Sequence, residues 1–266
     1  MATARWKQAI KHPGEVPYFL WKRAFALIGH DHYKRFIMLA APRTGSTLLL
    51  SYLNSHRKVY AVGEIFQRLN GEDFRKILKR VFCKQPPNIK AVGFKIFYGH
   101  PYDDKKSGVW NELLGLQQLH IIHIKRRNFL RTLLSRKISK KTNVWHKLEG
   151  DPSLSVESRR VEFTYEELET KFERLRNLES EFDGKFRSHS MLTVYYEDLA
   201  SRPNVEFGRI TNFLELPFQR PKSKHTRMNP EKLSTLVADF EYLKKRFSGT
   251  EWAQFFEEEA SASVEL

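Results

Sequence analysis

The sequence predicts an α/β fold of the P-loop-like, three-layer type, in which helices flank a central parallel sheet. Short apolar runs, typical of buried parallel strands, recur along the chain and alternate with stretches of helical periodicity. A hydroxyl-rich turn follows the first of these runs and leads directly into an apolar helix. The 266 residues are 41% hydrophobic and 13% aromatic, which is enough to fill one such core and excludes a mostly disordered chain.

The predicted elements alternate along the chain. Apolar and partly β-branched runs predict strands at 36–41, 91–97, 119–125 and 191–196. Helical spacing of apolar residues predicts helices that begin after residue 47, after Thr164 and at Pro203. Thr164 and Glu167 form a capping-box pattern. The polar stretch 150–158 is typical of an exposed, mobile loop.

Three segments are expected: a basic, aromatic-rich helical segment at 1–34, one main domain at 35–256, and an acidic, frayed tail at 257–266. No apolar run approaches the roughly 18 residues that span a bilayer, and the N-terminus lacks the apolar core of a secretory signal. A single cysteine, Cys83, allows no internal disulfide. We therefore expect a cytoplasmic protein, whose N-terminal helix packs on the main domain or contacts a membrane surface peripherally.

The chain is strongly basic. It contains 46 Lys and Arg residues against 31 Asp and Glu residues, a formal net charge of +15. Such an excess favours an anionic partner, such as nucleic acid, an acidic membrane, an acidic polysaccharide or a phosphate-rich ligand. Charge alone does not distinguish among these classes.

The turn after the first strand, Arg43-Thr44-Gly45-Ser46-Thr47, predicts an anion-binding loop. Backbone N–H groups and hydroxyls at a helix N-terminus bind anions, Arg43 adds a fixed charge, and Gly45 allows close approach of the backbone. The segment is not a Walker A motif, because the spacing and the lysine of that motif are missing. The alternative is a helix with a hydroxyl-rich N-cap.

A second cationic site is predicted at the end of the strand 119–125. Arg127 follows that strand, and Ser135 lies two turns along the helix that leaves from it. The two side chains could bind one phosphate group from opposite sides. The alternative is a basic helix face in water.

These motifs, in this order, resemble the sulfotransferases that use 3′-phosphoadenosine 5′-phosphosulfate (PAPS). The family's 5′-phosphosulfate loop is similar to residues 42–47, and its 3′-phosphate motif is similar to Arg127 and Ser135. The stretch from Asn229 to Trp252 resembles the bacterial glycolipid and nodulation-factor carbohydrate sulfotransferase subgroup. The resemblance covers about residues 35–256, and its other pieces are Gly63-Glu64, the strand 92–95, and the segments 196–199 and 213–217.

The resemblance implies transfer of a sulfuryl group from PAPS to an acceptor hydroxyl, with 3′,5′-bisphosphate (PAP) as product and no metal. The acceptor it implies is a carbohydrate or glycolipid. Glu64 is the expected base, and His100 is the alternative base. Arg43 and Lys95 would stabilise charge on the leaving phosphate; many members carry Lys where Arg43 stands, and Arg cannot act as a general acid.

Three further residues are candidate ligand contacts. Trp145 either lines the acceptor site or packs in the core. Lys224 and Arg227 lie in a basic stretch that either closes over the nucleotide or is a solvated loop. No spacing of histidines predicts a metal site.

Two rival functions remain open. A P-loop kinase-like phosphotransferase is disfavoured by the missing Walker lysine and by the lack of a metal-binding Asp at a strand end. A non-enzymatic nucleic-acid-binding protein would explain the charge of +15 but not the ordered anion loops, so nucleic acid is an unlikely partner.

Overall fold

A five-stranded parallel sheet forms the centre of the protein. A computed structural model of the chain describes residues 29–257, so the helix predicted before residue 29 and the tail after residue 257 lie outside the described residues. The sheet order is β2-β3-β1-β4-β5, and every neighbouring pair is parallel. The strands are β1 (Lys34–Ala40), β2 (Val59–Val62), β3 (Ala91–Phe97), β4 (Leu119–Lys125) and β5 (Met191–Tyr195).

Helices cover both faces of this sheet, which confirms the predicted fold class. In chain order they are α1 (Ser46–Ser55), α2 (Phe74–Val81), α3 (Val109–Gly115), α4 (Phe129–Thr142), α5 (Val156–Arg159), α6 (Tyr165–Lys185), α7 (Tyr196–Ser201), α8 (Pro203–Phe213), α9 (Leu233–Leu236) and α10 (Phe240–Phe247), with a 3₁₀ turn at Ala253–Phe256. Within residues 29–257 no helix combines the length and the apolarity needed to cross a membrane.

Strand β1 is the middle strand of the sheet, and both of its faces are apolar. Ile37 and Leu39 pack against the helices α2, α3 and the end of α6, whereas Phe36 and Met38 pack against α1 and α8 on the opposite face. Successive side chains of a strand alternate between faces, so a continuous apolar run fits a strand covered on both sides. The carboxyl end of β1 is thereby fixed in the middle of the sheet edge that carries the candidate site.

A third apolar cluster lies beside the sheet. It joins Leu134 of α4, Phe172 of α6, Phe247 of α10 and Phe256 of the 3₁₀ turn. No pattern in the sequence predicted this cluster. It anchors the C-terminal part of the chain against α4, the helix that begins at the carboxyl end of β4.

Local signals in the middle of the chain were only partly predictive. The Thr164 hydroxyl accepts a hydrogen bond from the Glu167 backbone at 3.1 Å, which confirms the predicted N-cap of α6. Residues 150–155 are exposed as expected, but the loop prediction is wrong from residue 156, where α5 begins. The Ser155 hydroxyl caps the N-terminus of α5. Arg159, the last residue of α5, is buried and forms an ion pair with Glu231.

Two buried histidines are uncharged in the fold. His123 in β4 donates from Nδ1 to Asp183 at 2.8 Å and accepts at Nε2 from the Tyr98 hydroxyl at 2.6 Å. Burial lowers the pKa of His123 to about 4, and burial likewise lowers the pKa of His100 to about 4. Both rings are therefore neutral in the native protein near neutral pH.

We expect the free energy of unfolding to fall as the pH is lowered from about 6.5 to about 4. In this window the unfolded chain binds a proton at each of His100 and His123 while the native protein does not, so each contributes up to about 1.4 kcal/mol per pH unit. Urea unfolding of the parent and of His123→Gln at several pH values measures the slope. The slope of the free energy of unfolding against pH should be smaller in the variant by the contribution of one proton. Identical slopes in the two proteins would contradict the uncharged state of His123.

Candidate active site

The predicted anion loop connects β1 to α1 at the sheet's carboxyl edge. Arg43 (φ 73°) and Gly45 (φ 87°) both adopt left-handed backbone conformations and turn the chain sharply. The Thr44 hydroxyl donates to the Ala41 carbonyl at 2.8 Å and closes the turn. No side chain caps the N-terminus of α1, so its first N–H groups remain for an anion.

Gly45 is required by its surroundings as well as by its conformation. A Cβ atom at this position would lie 2.3 Å from the ring of Tyr196, the first residue of α7. Tyr196 in turn lies under the guanidinium group of Arg126, 4.7 Å from the ring centroid. The loop is therefore held between the ends of β1 and β5.

Three further predicted site residues meet next to this loop, at its last residue, Thr47. The Lys95 ammonium group in β3 lies 3.0 Å from a carboxylate oxygen of Glu64 and donates to the Thr47 hydroxyl at 3.5 Å. His100 Nε2 lies 3.6 Å from the other Glu64 oxygen. The Lys95 side chain is only 6% exposed and that of Glu64 23%, so a carboxylate–ammonium pair lies at the edge of the interior beside the anion loop.

The hydrogen bonding of His100 fixes which nitrogen carries its proton. The Phe97 backbone N–H donates to Nδ1 at 3.3 Å. Because the neutral ring accepts at Nδ1, its hydrogen is on Nε2 and points toward Glu64. The ring offers no free lone pair to a substrate on that side.

Arg43 connects the loop to two other predicted residues. It donates from Nε to the Ser135 hydroxyl at 2.9 Å, from Nη1 to the Trp145 carbonyl at 2.6 Å, and from Nη2 to the sulfur of Met228 at 2.8 Å. The Trp145 side chain is itself exposed, so the alternative of core packing for this residue is wrong. The arginine thus reaches from the predicted anion loop to α4.

Arg127 and Ser135, the two predicted 3′-phosphate residues, have different protein partners in this structure. Arg127 donates to the Asp198 carboxylate at 2.6 Å, and its guanidinium group lies 4.2 Å from the ring centroid of Tyr195. Arg126, which the sequence analysis passed over, is the buried member of the pair and donates to the Arg43 carbonyl at 3.4 Å. Its position beside Arg127 in a basic run gave no signal that only one of them is buried.

The basic segment 222–227 lies beside α1, and residues of both line one open cavity. It pairs with residues 147–149 through an isolated bridge between Leu148 and His225. Lys224 and Thr47 line the same open cavity of about 500 Å³, whereas Arg227 is exposed and does not line it. A second cavity of about 370 Å³ lies on the other flank of the segment, lined among others by Tyr52 and Asn204.

Two histidines near the site were not predicted. The rings of His146 and His225 are 6.1 Å apart, and the pKa of each is lowered mainly by burial and further by the charge of Lys95. Each is a single histidine in a loop, and only the long-range pairing of residues 147–149 with 224–226 brings the two loops together.

The sequence comparisons identify relatives of one kind. No protein-family model matches the chain. The chain is similar to Nodulation protein H. It is 28% identical over 243 residues to the protein of that name from Rhizobium tropici, a match that covers 85% of this chain and 95% of the relative. The Rhizobium meliloti (strain 1021) protein is 27% identical over 238 residues, covering 84% and 94%.

The likeness to Nodulation protein H agrees with the nodulation-factor part of the motif resemblance and extends over nearly the whole length of those relatives. Within residues 29–257 no cluster of three or more His, Cys, Asp or Glu side chains is arranged to hold a metal ion. The site consists of the predicted anion loop beside a carboxylate–ammonium pair. Such a site can hold a phosphorylated donor and remove a proton from a hydroxyl.

Proposed function

We propose that the protein is a sulfotransferase that moves the sulfuryl group of PAPS to a hydroxyl of a carbohydrate or glycolipid. The observation that carries this proposal is the chain of contacts from Thr47 through Lys95 to Glu64, which joins a candidate donor loop to a candidate base. The ordered motifs and the likeness to Nodulation protein H support the same conclusion. A nucleic-acid-binding protein would not need this juxtaposition, and the missing Walker lysine disfavours a kinase-like protein.

The residues present fit a phosphosulfate donor. The N–H groups and hydroxyls of residues 44–47 would hold the 5′-phosphosulfate, and Ser135 and Arg127 the 3′-phosphate. Arg43 lies between the two because it already bonds Ser135. Lys224 and Arg227 would close over the nucleotide, and the cavity lined by Tyr52 has room for an adenine ring.

The chemical step needs a base, a stabilised leaving group and alignment of the two oxygens. Glu64 would accept the proton of the acceptor hydroxyl as its oxygen bonds to sulfur. The bond from sulfur to the 5′-phosphate oxygen then breaks and leaves PAP, whose developing charge Lys95 and Arg43 would stabilise.

Two side chains would assist this step without taking part in bond changes. His100 Nε2–H faces the Glu64 carboxylate, so we assign His100 a positioning role and not the alternative role of base. The exposed ring of Trp145 lies beside the loop, since Arg43 holds its carbonyl, and would stack on an acceptor sugar.

We expect transfer of radiolabelled sulfate from PAPS to a panel of oligosaccharides and glycolipids to continue in the presence of EDTA. Arg43, Lys95 and the loop N–H groups would meet the donor's charges without a divalent ion. Release of PAP is measured in parallel. Activity that disappears on chelation and returns with Mg²⁺ would favour the kinase-like alternative.

Arg127 is expected to determine the preference for a 3′-phosphate. Arg127→Ala should lose about tenfold or more of the preference for PAP over the 5′-monophosphate, the size of one charged hydrogen bond. The matched control is Arg202→Ala, because Arg202 also pairs with Asp198, at 3.1 Å, and lies outside the motif. Titration calorimetry with both nucleotides measures the ratio. An unchanged ratio in Arg127→Ala would place the 3′-phosphate elsewhere, with Arg43 and Ser135 as the next candidates.

A further inference from the structure

Two histidines that the proposed transfer step does not use lie where the two open cavities meet. His225 lines both cavities, the one that includes Thr47 of the predicted anion loop and the one that includes Tyr52. The ring of His146 lies 6.1 Å from the ring of His225. A donor that extends from the anion loop to the cavity of Tyr52 passes His225, because this residue belongs to both spaces.

Backbone hydrogen bonds on both sides hold His146 beside the anion loop. The carbonyl of the preceding residue, Trp145, accepts from Arg43 of that loop at 2.6 Å. The carbonyl of the next residue, Lys147, accepts from the Thr226 N–H at 3.1 Å. The ring of His146 is exposed, and within residues 29–257 it has no hydrogen-bond partner. Both of its nitrogens are therefore open to a ligand.

One nitrogen of the His225 ring is already occupied. The Lys147 backbone carbonyl forms a hydrogen bond with this ring and raises its pKa, so the nitrogen on that side carries the hydrogen. The other nitrogen of the neutral ring is an acceptor, which repels the oxygen of a phosphate. Once it gains a proton, the same nitrogen donates to that oxygen. Binding of a phosphate at His225 therefore favours a second proton on the ring.

The surroundings of the two rings keep them neutral in the absence of an anion. Burial is the largest cause that lowers the two pKa values, and the ammonium group of Lys95 lowers both of them further. Arg43 and the neighbouring His225 also lower the pKa of His146. Glu64 raises the pKa of His146, but it does so less than either cation lowers it, and Glu64 is itself paired with Lys95.

The cavities beside the two rings are lined by positive charge without a carboxylate. Their charged side chains are those of Lys222, Lys224 and Arg220, and the Tyr52 phenol is neutral because burial raises its pKa. An anion that enters this space reverses the balance at the histidines, since an opposite charge nearby favours the imidazolium form. A second imidazolium is disfavoured, because two charged rings 6.1 Å apart repel each other.

We propose that His225 and His146 bind the phosphate at the 5′ end of the donor and that the two rings together take up one proton from solvent as the donor binds. The inference rests on the proposed function and adds to it two donor-binding residues outside the sequence motifs. The 5′ end is assigned because His225 shares its cavity with Thr47 of the anion loop. Since the complex holds one more proton than the free protein, the affinity for the donor rises as the pH falls.

The test is calorimetric titration of PAP into the protein from about pH 8 to about pH 6.5, in buffers that differ in ionisation enthalpy. The affinity should rise by up to about tenfold per pH unit, with an uptake that approaches about one proton per PAP. The ligand itself contributes release and not uptake, because cations favour the dianion of a phosphate whose second pKa lies near about 6. Adenosine 3′-monophosphate, which lacks the 5′-phosphate, should bind without uptake.

The double variant His146→Gln, His225→Gln should bind PAP without proton uptake. Its affinity should be about tenfold below that of the parent at the low end of the pH range, and the difference should shrink toward the high end. The matched control is His32→Gln, His189→Gln, since these histidines lie before β1 and β5 at the opposite edge of the sheet. The control should show the uptake and the affinity of the parent. Melting temperatures of both variants confirm that the proteins are folded.

Failure of this inference can be told apart from failure of the proposed function. PAP binding without proton uptake in the parent, or uptake that persists in the double variant, would overturn the inference and leave the donor assignment in place. An equal uptake with adenosine 3′-monophosphate would overturn the placement of the two rings at the 5′ end. A parent protein without affinity for PAP would overturn the proposed function itself.

Discussion

Replacing Glu64 by Gln is expected to slow sulfuryl transfer by about 10²–10⁴-fold and to leave the affinity for PAP unchanged. An alcohol is a poor nucleophile until its proton begins to leave, and a positioned carboxylate accelerates that step. Glutamine keeps the shape of Glu64 and its hydrogen bonds but cannot accept the proton. The loss should therefore appear in single-turnover rates and not in equilibrium binding of the product.

The same substitution has a structural cost that must be measured separately. Lys95 is 6% exposed and pairs with Glu64 at 3.0 Å, so Glu64→Gln leaves a buried ammonium group with a neutral amide in place of its charged partner, at a cost of about 1–3 kcal/mol. Glu72→Gln is the control, because Glu72 is an exposed carboxylate paired with Arg80. Parent-like turnover in a folded Glu64→Gln protein would contradict the assignment of Glu64 as the base.

Gly45→Ala is expected to abolish donor binding while the rest of the fold survives. The added Cβ would meet the Tyr196 ring at 2.3 Å, and alanine at φ 87° carries a conformational penalty of about 1–2 kcal/mol. The loop must move away from Tyr196, which displaces the N–H groups that face the anion. We expect a fall in PAP affinity of at least about thirtyfold and a lower melting temperature.

The matched control for Gly45→Ala is Gly184→Ala. Gly184 lies in α6, and a Cβ atom there would meet nothing within 4 Å. This substitution should raise stability slightly, by about 0.5–1 kcal/mol, because alanine is the better helix former. Calorimetry and thermal melting of both variants distinguish a local loop effect from a general effect of the added methyl group. Parent-like PAP affinity in Gly45→Ala would contradict the placement of the phosphosulfate.

The strands that the sequence predicted best are those buried on both faces. Strands β3 and β4 match the predicted bounds of 91–97 and 119–125, because their apolar runs are continuous. The edge strand β2 was missed because it has four residues, only two of them buried, and this gives too short an apolar pattern to distinguish from a loop. Helix α5 was missed because it has only four residues, too few for a helical pattern in the sequence, and the ion pair of its last residue Arg159 with the distant Glu231 has no local signal.

The candidate site could be predicted where topology alone brings residues together. Thr47, Glu64 and Lys95 lie in or just after neighbouring parallel strands, whose carboxyl ends share one sheet edge. Contacts across about ninety residues, such as Arg43 with Ser135, carry no local signal. The pairing of Arg127 with Asp198 likewise has no local signal. From the sequence alone, an arginine at a strand end is equally compatible with an ion pair and with a bound phosphate.

The central claim, a site for PAPS, is tested most directly by thermal unfolding with PAP, ATP and duplex DNA side by side. PAP at about 100 times its dissociation constant should add about 2.7 kcal/mol to the free energy of unfolding and raise the melting temperature accordingly. ATP, with or without Mg²⁺, and DNA should shift it much less. A larger shift with Mg²⁺-ATP, or a salt-sensitive shift with DNA and none with PAP, would contradict the account.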